Sequence, residues 1–182
     1  MTGVTALSPG TYDSPVRYAP GRAFPSYAYL PGRDPHPTRD PRGHSHAPSK
    51  SGPPETFAYF PPASWRENDE YLFGVDLYNH GFLWEAHEAW ENLWHVAKAD
   101  ADQAGFLQGL IQCSAASLKV PMEQPNGLAK LAEIGTARLE EVARRAGSRF
   151  MGLDLPSFVR DFRAFAASTP VSAESRPRIV LA

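Results

Sequence analysis

The run Trp84-Glu85-Ala86-His87-Glu88, followed by Glu91 and then by Trp94-His95, sets imidazoles among carboxylates and indoles at helical spacing. With 100° between successive residues of an α-helix, Trp84, His87, Glu88, Glu91, Trp94 and His95 share one side. Ala86, Ala89, Leu93, Val96 and Ala97 fall on the other, and Glu85 and Trp90 flank that apolar side. Glu91 lies four residues from both His87 and His95, so it can orient either ring. A carboxylate beside an imidazole fixes its tautomer and raises its pKa, which suits a general base or a metal ligand. A glutamate buried against tryptophan has its own pKa raised, which suits a general acid. Glu85, His87, Glu88 and Glu91 are therefore candidate catalytic residues, with Trp84 and Trp94 as candidate ligand-binding walls. The same residues also read as a satisfied polar network tying one helix to its neighbours, and at this point both readings stand. The string HEAWE meets the HExxH zinc spacing only in part, because Glu91 stands where the second histidine belongs. A di-iron carboxylate bundle needs Glu and Glu-x-x-His on further helices; Asp69, Glu70 and Asp76 are the acids available before this helix, and Gln108 and Gln112 the polar residues after it.

A second stretch offers donors as well. Between Tyr29 and His46 the chain reads YLPGRDPHPTRDPRGHSH, with His36, His44 and His46 close to Asp34 and Asp40. Proline stiffens this segment, so holding it in one shape costs less entropy. Folded over the Trp84–Glu88 helix, it would bring His36 and His44 to His87 and Glu88, a mixed histidine/carboxylate set for a divalent metal. The competing arrangement is a clasp in which Arg33, Arg39 or Arg42 pairs with the helix carboxylates. Arg39 is also a candidate ligand contact, as are Asn79, Gln108 and Gln112. Gln108 and Gln112 share a helix face with Gly105 and Gly109, where glycine is most simply explained by close helix packing.

These residues need elements to hold them. Of 18 prolines, 13 precede residue 65, and they remove backbone donors and push each preceding residue toward extended conformations. Residues 1–62 are therefore expected to be a largely irregular arm. Tyr12, Tyr18, Phe24, Tyr27, Tyr29, Phe57, Tyr59 and Phe60 make it richer in aromatics than a disordered tail, so 17–46 is expected to dock on the core, with 47–54 as a joint. Residues 63–170 are expected to form the helical domain. Ser64 with Glu67 reads as a capping box opening a helix over 65–79, closed at Asn79-His80-Gly81. Further helices are expected at 82–98, at 103–120 after Asp100 or Asp102, at 126–146 before Gly147, and at 156–168 after Leu155-Pro156. No segment alternates with period two for long enough to argue a sheet. The expected class is all-α: a compact bundle of about five helices with an extended Pro-rich arm, and a frayed tail at 171–182.

Composition narrows the function. A formal net charge of −2, with six Arg/Lys and four Asp/Glu in 1–64 against twelve and sixteen in 65–182, argues against a nucleic-acid or acidic-membrane binder. The single cysteine, Cys113, excludes an internal disulfide framework and a Cys-based zinc site. No apolar run approaches the ~20 residues that span a bilayer, and MTGVTALSPGTYDSP lacks a signal-peptide pattern; a cytoplasmic protein is expected.

The run Tyr78-Asn79-His80-Gly81-Phe82-Leu83-Trp84-Glu85-Ala86-His87-Glu88, then Leu93-Trp94, then Leu107-Gln108-Gly109-Leu110-Ile111-Gln112, resembles the DUF309 family. Its pattern reads approximately F-N-x-G-x-[FY]-W-E-x-H-E followed by L-Q-G-[LI]-I-Q. The resemblance covers about 70–140, and the arm's PGRDPHPTRDPRGHS extends it to 17–46. Leu83 stands where an aromatic is usual and Trp90 where an aliphatic is usual. The resemblance implies a compact helical bundle in a bacterial or archaeal cytoplasmic protein and makes the motif positions the site. It implies no activity. Two functions follow as expectations: a hydrolase using water activated by His87 or by a bound metal, or a non-catalytic module whose polar face takes a small-molecule ligand or whose arm docks a partner. A homodimer stays open, since the Trp-rich helices can leave an apolar face uncovered.

Overall fold

The apolar residues of 69–167 recur at helical spacing, and each stretch is punctuated by a capping residue, a proline or a glycine. The computed structural model describes residues 15–46 and 56–182; Tyr12 and the joint expected at 47–54 lie outside them. Among the described residues five α-helices carry the fold: α1 Asp69–Asn79, α2 Leu83–Val96, α3 Ala101–Leu118, α4 Pro125–Ala146 and α5 Leu155–Ala167. Helices adjacent in sequence pack on one another, α1 on α2, α2 on α3, α3 on α4 and α4 on α5, as short connections favour. The architecture is all-α.

Most helix ends follow local chemistry. Asp100 caps α3, its carboxylate accepting from the Asp102 and Gln103 amides. Pro125 occupies the first turn of α4, where its missing N–H costs nothing. Gly81 and Gly147 follow α1 and α4 with φ of 88° and 103°, a region that side chains with a Cβ avoid. The start of α1 differs from expectation. Pro62–Glu67 forms a 3₁₀ turn, and Asn68 is the cap, its side chain accepting from the Tyr71 amide. Prolines 61 and 62 hold the preceding chain extended, which moves the first α-helical turn past Ser64. A two-residue hairpin, β1 Arg149–Phe150 with β2 Leu153–Asp154, joins α4 to α5; it is too short to show as an alternating pattern.

The core lies where the helices cross. Tyr71, Tyr78, Trp90, Phe106, Leu107, Leu139 and Phe162 are fully buried. Small residues set the approach: a methyl on Gly74 would overlap the Trp90 indole, one on Gly109 would sit 2.6 Å from the Leu139 Cδ2, and one on Gly135 would sit 3.0 Å from the Gly109 carbonyl oxygen. Gly109 thus serves α3–α4 packing, as its sequence context suggested. The Ser114 hydroxyl donates to the Leu83 carbonyl at 2.7 Å, fixing the start of α2 on α3.

The chain ends do not behave as read from sequence. Residues 15–30 run along the bundle, but 30–46 fold into successive turns rather than an extended arm. Asp34 accepts from the Leu30 amide and Asp40 from the Arg42 amide, both at 2.9 Å, the local side-chain bonding by which aspartate makes turns. The tail expected to fray packs on the bundle instead. Ile179 is buried, and the Asn79 side chain both donates to its carbonyl and accepts from its amide, each at 2.8 Å. Leu181 pairs with Leu153. Gly74→Ala tests the α1–α2 contact, because the rigid indole cannot move aside cheaply. Overpacking of this kind costs about 1–3 kcal/mol, so thermal denaturation followed by circular dichroism is expected to show a Tm lower by about 3–10 °C.

Candidate functional site

A carboxylate in the middle of an apolar helix face must find donors there, and α1 places Asp76 in that position between Val75 and Leu77. Asp76 is 0 % exposed. Its oxygens accept from the Arg17 Nε at 2.8 Å, the Tyr18 amide at 2.7 Å and the Ala19 amide at 2.9 Å. Arg22 reaches Glu70 at 2.5 Å and Asp69 at 3.4 Å, and its guanidinium lies 3.9 Å from the Phe73 ring centroid. The acids of α1 are thus anchors for the arm, which removes them from any di-iron arrangement. Sequence reasoning missed Asp76 as an anchor; the available signal was one charge inside the run Leu72-Phe73-Gly74-Val75-Asp76-Leu77-Tyr78.

From that anchor the arm runs to α2. Phe24 stacks on Phe82 with centroids 4.9 Å apart, and Tyr29 and His36 meet the Trp84 ring edge-on at 5.3 and 5.7 Å. Glu85, only 6 % exposed, accepts on Oε1 from the Tyr29 amide at 2.9 Å and from His44 Nε2 at 3.0 Å. A carboxylate can only accept, so Nε2 carries the His44 proton, and Nδ1 faces the Ser45 hydroxyl at 2.9 Å. Glu85 Oε2 is buried and has no partner. The arm is therefore clasped by a histidine and a backbone amide, and the arginines named for that role sit elsewhere: Arg33 pairs with Asp34, Arg42 with Asp40, and Arg39 is exposed.

One turn further along α2 the chemistry changes. His87, Glu88 and Glu91 are half-buried, and one ligand atom from each lies within 4.8 Å of the others. Among the described residues this is the group of three that could hold a metal ion. His36 and His44 are outside it. His87 Nε2 stands 3.5 Å from Glu91 Oε2. Burial lowers the His87 pKa, outweighing the opposing pull of Glu91, so the carboxylate neighbour does not leave the ring more basic as expected. Burial raises the Glu88 pKa, and repulsion from Glu91 and Glu85 adds to it. A neutral imidazole beside an electron-rich acid pair has the donor character of a divalent-cation site.

The remaining candidates are dispersed. Asn79 holds the tail, and Gln112 accepts from Arg138 of α4 at 3.1 Å, so neither joins the α2 cluster. Gln108 is half-buried on α3. Trp94 is half-buried under the Lys98 ammonium, 4.5 Å from its ring centroid, and His95 is exposed and packs on the Trp94 ring rather than on Glu91. Val96, assigned to the apolar face, is exposed as the last residue of α2. Burial pushes the Cys113 thiol far up, which keeps it an inert packing group. Cavities of about 720, 580 and 400 Å³ lie between α4 and α5, beside the end of α3, and beneath the arm's turn at 30–34. None of these three is lined by His87, Glu88 or Glu91.

Residues 71–131 match the model of a family described as a domain of unknown function, DUF309. The DUF309 resemblance is thus shown over this segment. It holds most of α1, all of α2 and α3 and the start of α4, so Asp76, Glu85, His87, Glu88 and Glu91 are all inside it. The arm, α5 and the tail lie outside the DUF309 match. No curated protein and no solved structure matches the chain. No helix formed by the described residues is long and apolar enough to cross a membrane.

Two substitutions separate anchor from cluster. Asp76→Ala leaves Arg17 without its buried partner, a change that costs about 3–5 kcal/mol; faster tryptic cleavage at Arg17 and Arg22, with a lower Tm, is the expected result. Glu88→Gln should act in the opposite direction. Folding raises the Glu88 pKa above 4.5, so the ionised acid opposes folding at neutral pH. Relieving two like-charge pairs of about 0.2–0.5 kcal/mol each should raise the Tm by about 1–3 °C at pH 7. Melting curves across pH should show that gain vanish below pH 4.5, where the wild-type acid is protonated in both states.

Proposed function

We propose that the protein is a divalent-cation-binding protein whose site is the turn of α2 carrying His87, Glu88 and Glu91. The observation that carries this reading is the convergence of their ligand atoms within 4.8 Å. The electrostatics support it, since Glu88 feels only other acids, Glu91 and Glu85, and a cation would relieve that repulsion. Three donors from one helix leave coordination positions open, the condition under which a metal activates water. The finer reading is a hydrolase-type reaction in which such water attacks a small substrate beside Trp84. His36 and His44 take no part in binding the metal, because Glu85, Ser45 and the Trp84 ring engage them.

A second reading rests on its own observation. Glu85 Oε1 is fully used by Tyr29 and His44, as expected of a non-catalytic module in which the Glu/His/Trp cluster holds the arm and the face beyond takes a ligand or partner. Metal binding separates the two. Protein prepared without a histidine tag is titrated with Zn(II) and Mn(II) while its Tm is followed. Under the first reading, metal at 100 times its Kd stabilises by about 2.7 kcal/mol, a rise of about 5–10 °C. That rise should be lost in His87→Ala and Glu88→Gln and kept in His36→Ala. A wild-type Tm indifferent to both metals overturns the cation site and leaves the second reading. Metal-dependent cleavage of p-nitrophenyl acetate or bis-p-nitrophenyl phosphate, lost in the same variants, is the result expected for the hydrolase.

A further inference from the structure

Beneath the arm's turn at 30–34, the junction of α1 and α2, the end of α3 and the C-terminal tail line the partly open cavity of about 400 Å³. That is a usual volume for a small-molecule site. Much of its wall is apolar, with Leu30, Leu83, Leu118 and Val171 among its residues. Arg176 also lines it and is only 7 % exposed. Two of its nitrogens are used: Nη1 donates to the Ala173 carbonyl at 2.7 Å, and Nη2 donates to the Tyr78 carbonyl at the end of α1. Its Nε is buried and has no acceptor. His80, a second lining residue, likewise has a buried Nε2 without a partner.

A guanidinium remains charged in proteins, so its removal from water is normally matched by a carboxylate. Here the direct acceptors are neutral carbonyls. Glu174 is on the exposed rim and Arg33, also on the rim, is paired with Asp34. At Arg176 the attraction of Glu174 outweighs the repulsion of Arg178, and at His80 Asp76 offsets part of the repulsion from Arg17 and Arg178. Capping the C-terminus of α1 accounts for Nη2 alone. It leaves the Nε without an acceptor, and Arg176 and His80 both belong to the lining of one space.

We propose that this cavity binds a small organic oxyanion, a carboxylate or phosphate ester with an apolar body, held by Arg176 and His80. The oxyanion accepts from the Arg176 Nε, His80 supplies a second polar contact, and the leucine-lined wall covers the apolar body. This site is separate from the α2 cluster and does not depend on a metal.

The test uses the full chain, metal-free, in chloride buffer of constant ionic strength. Benzoate, phenyl phosphate and inorganic phosphate are titrated by calorimetry, and the Arg176 Nε–H resonance is followed by NMR. Saturable binding of benzoate or phenyl phosphate, tighter than inorganic phosphate and accompanied by movement of that resonance, is the expected result. Which of the two binds identifies the anion as carboxylate or phosphate ester. Arg176→Lys keeps the charge but has no Nε donor, and should weaken binding at least tenfold. His80→Gln, a milder change for folding, should weaken it severalfold. Failure of both aromatic probes to move the resonance at 10 mM, or unchanged affinity in a folded His80→Gln, overturns the assignment.

Discussion

Asp76 sits in the middle of α1 with its carboxylate out of water, and three N–H groups from Arg17, Tyr18 and Ala19 close on it. A lone carboxylate in this position would cost several kcal/mol, so bundle and arm complete one another. Once those three residues are fixed, the rest of the arm is tethered close to α2. Its later contacts then form at high effective concentration. The Phe24 stack on Phe82, the Tyr29 and His36 edges on Trp84 and the bonds to Glu85 are each modest by themselves. They add to an anchor that has already met the ordering cost. Proline lowers that cost further by narrowing the unfolded arm.

The face on which the arm lands is held by close packing. Gly74 admits the Trp90 indole against α1, and Gly109 and Gly135 admit α3 against α4. Ser114 ties the first turn of α2 to α3, so Trp84, Glu85, His87 and Glu88 are presented by a helix fixed at its start and along its buried side. Asn79 extends the frame to the tail through two bonds that mimic a strand pair. The tail in turn brings Arg176 to the end of α1.

How much of this was legible depends on the range of the interaction. The limits of α2, α3, α4 and α5 could be read to within one or two residues, because Asp100, Pro125, Gly147 and Pro156 act on their own neighbours. The start of α1 was misread because Ser64 and Asn68 are both good caps, and the choice between them depended on how the chain arrives from Pro61-Pro62. The helix spacing correctly put His87, Glu88 and Glu91 together and set Ala86 and Ala89 into the core. It did not reveal that Glu85 belongs to the arm, nor that Asn79 belongs to a residue one hundred positions away. Both depend on contacts that no local period encodes. The histidines of the arm were visible as donors, but their occupation by Glu85, Ser45 and Trp84 follows from the turns at 30–46.

The motif on α2 therefore divides its acids by environment. Glu85 points under the arm and spends one oxygen on two donors; Glu88, three residues on, has only acids as charged neighbours. At that spacing the two lie on adjacent turns, and Glu85 adds to the repulsion that raises the Glu88 pKa. The arm meets Glu85 with two donors on one oxygen and leaves Glu88 facing the repulsion of Glu85 and Glu91. A positive charge placed among His87, Glu88 and Glu91 would relax that repulsion. The spacing of the two glutamates thus sets the surface that holds the arm beside the surface proposed to meet a cation.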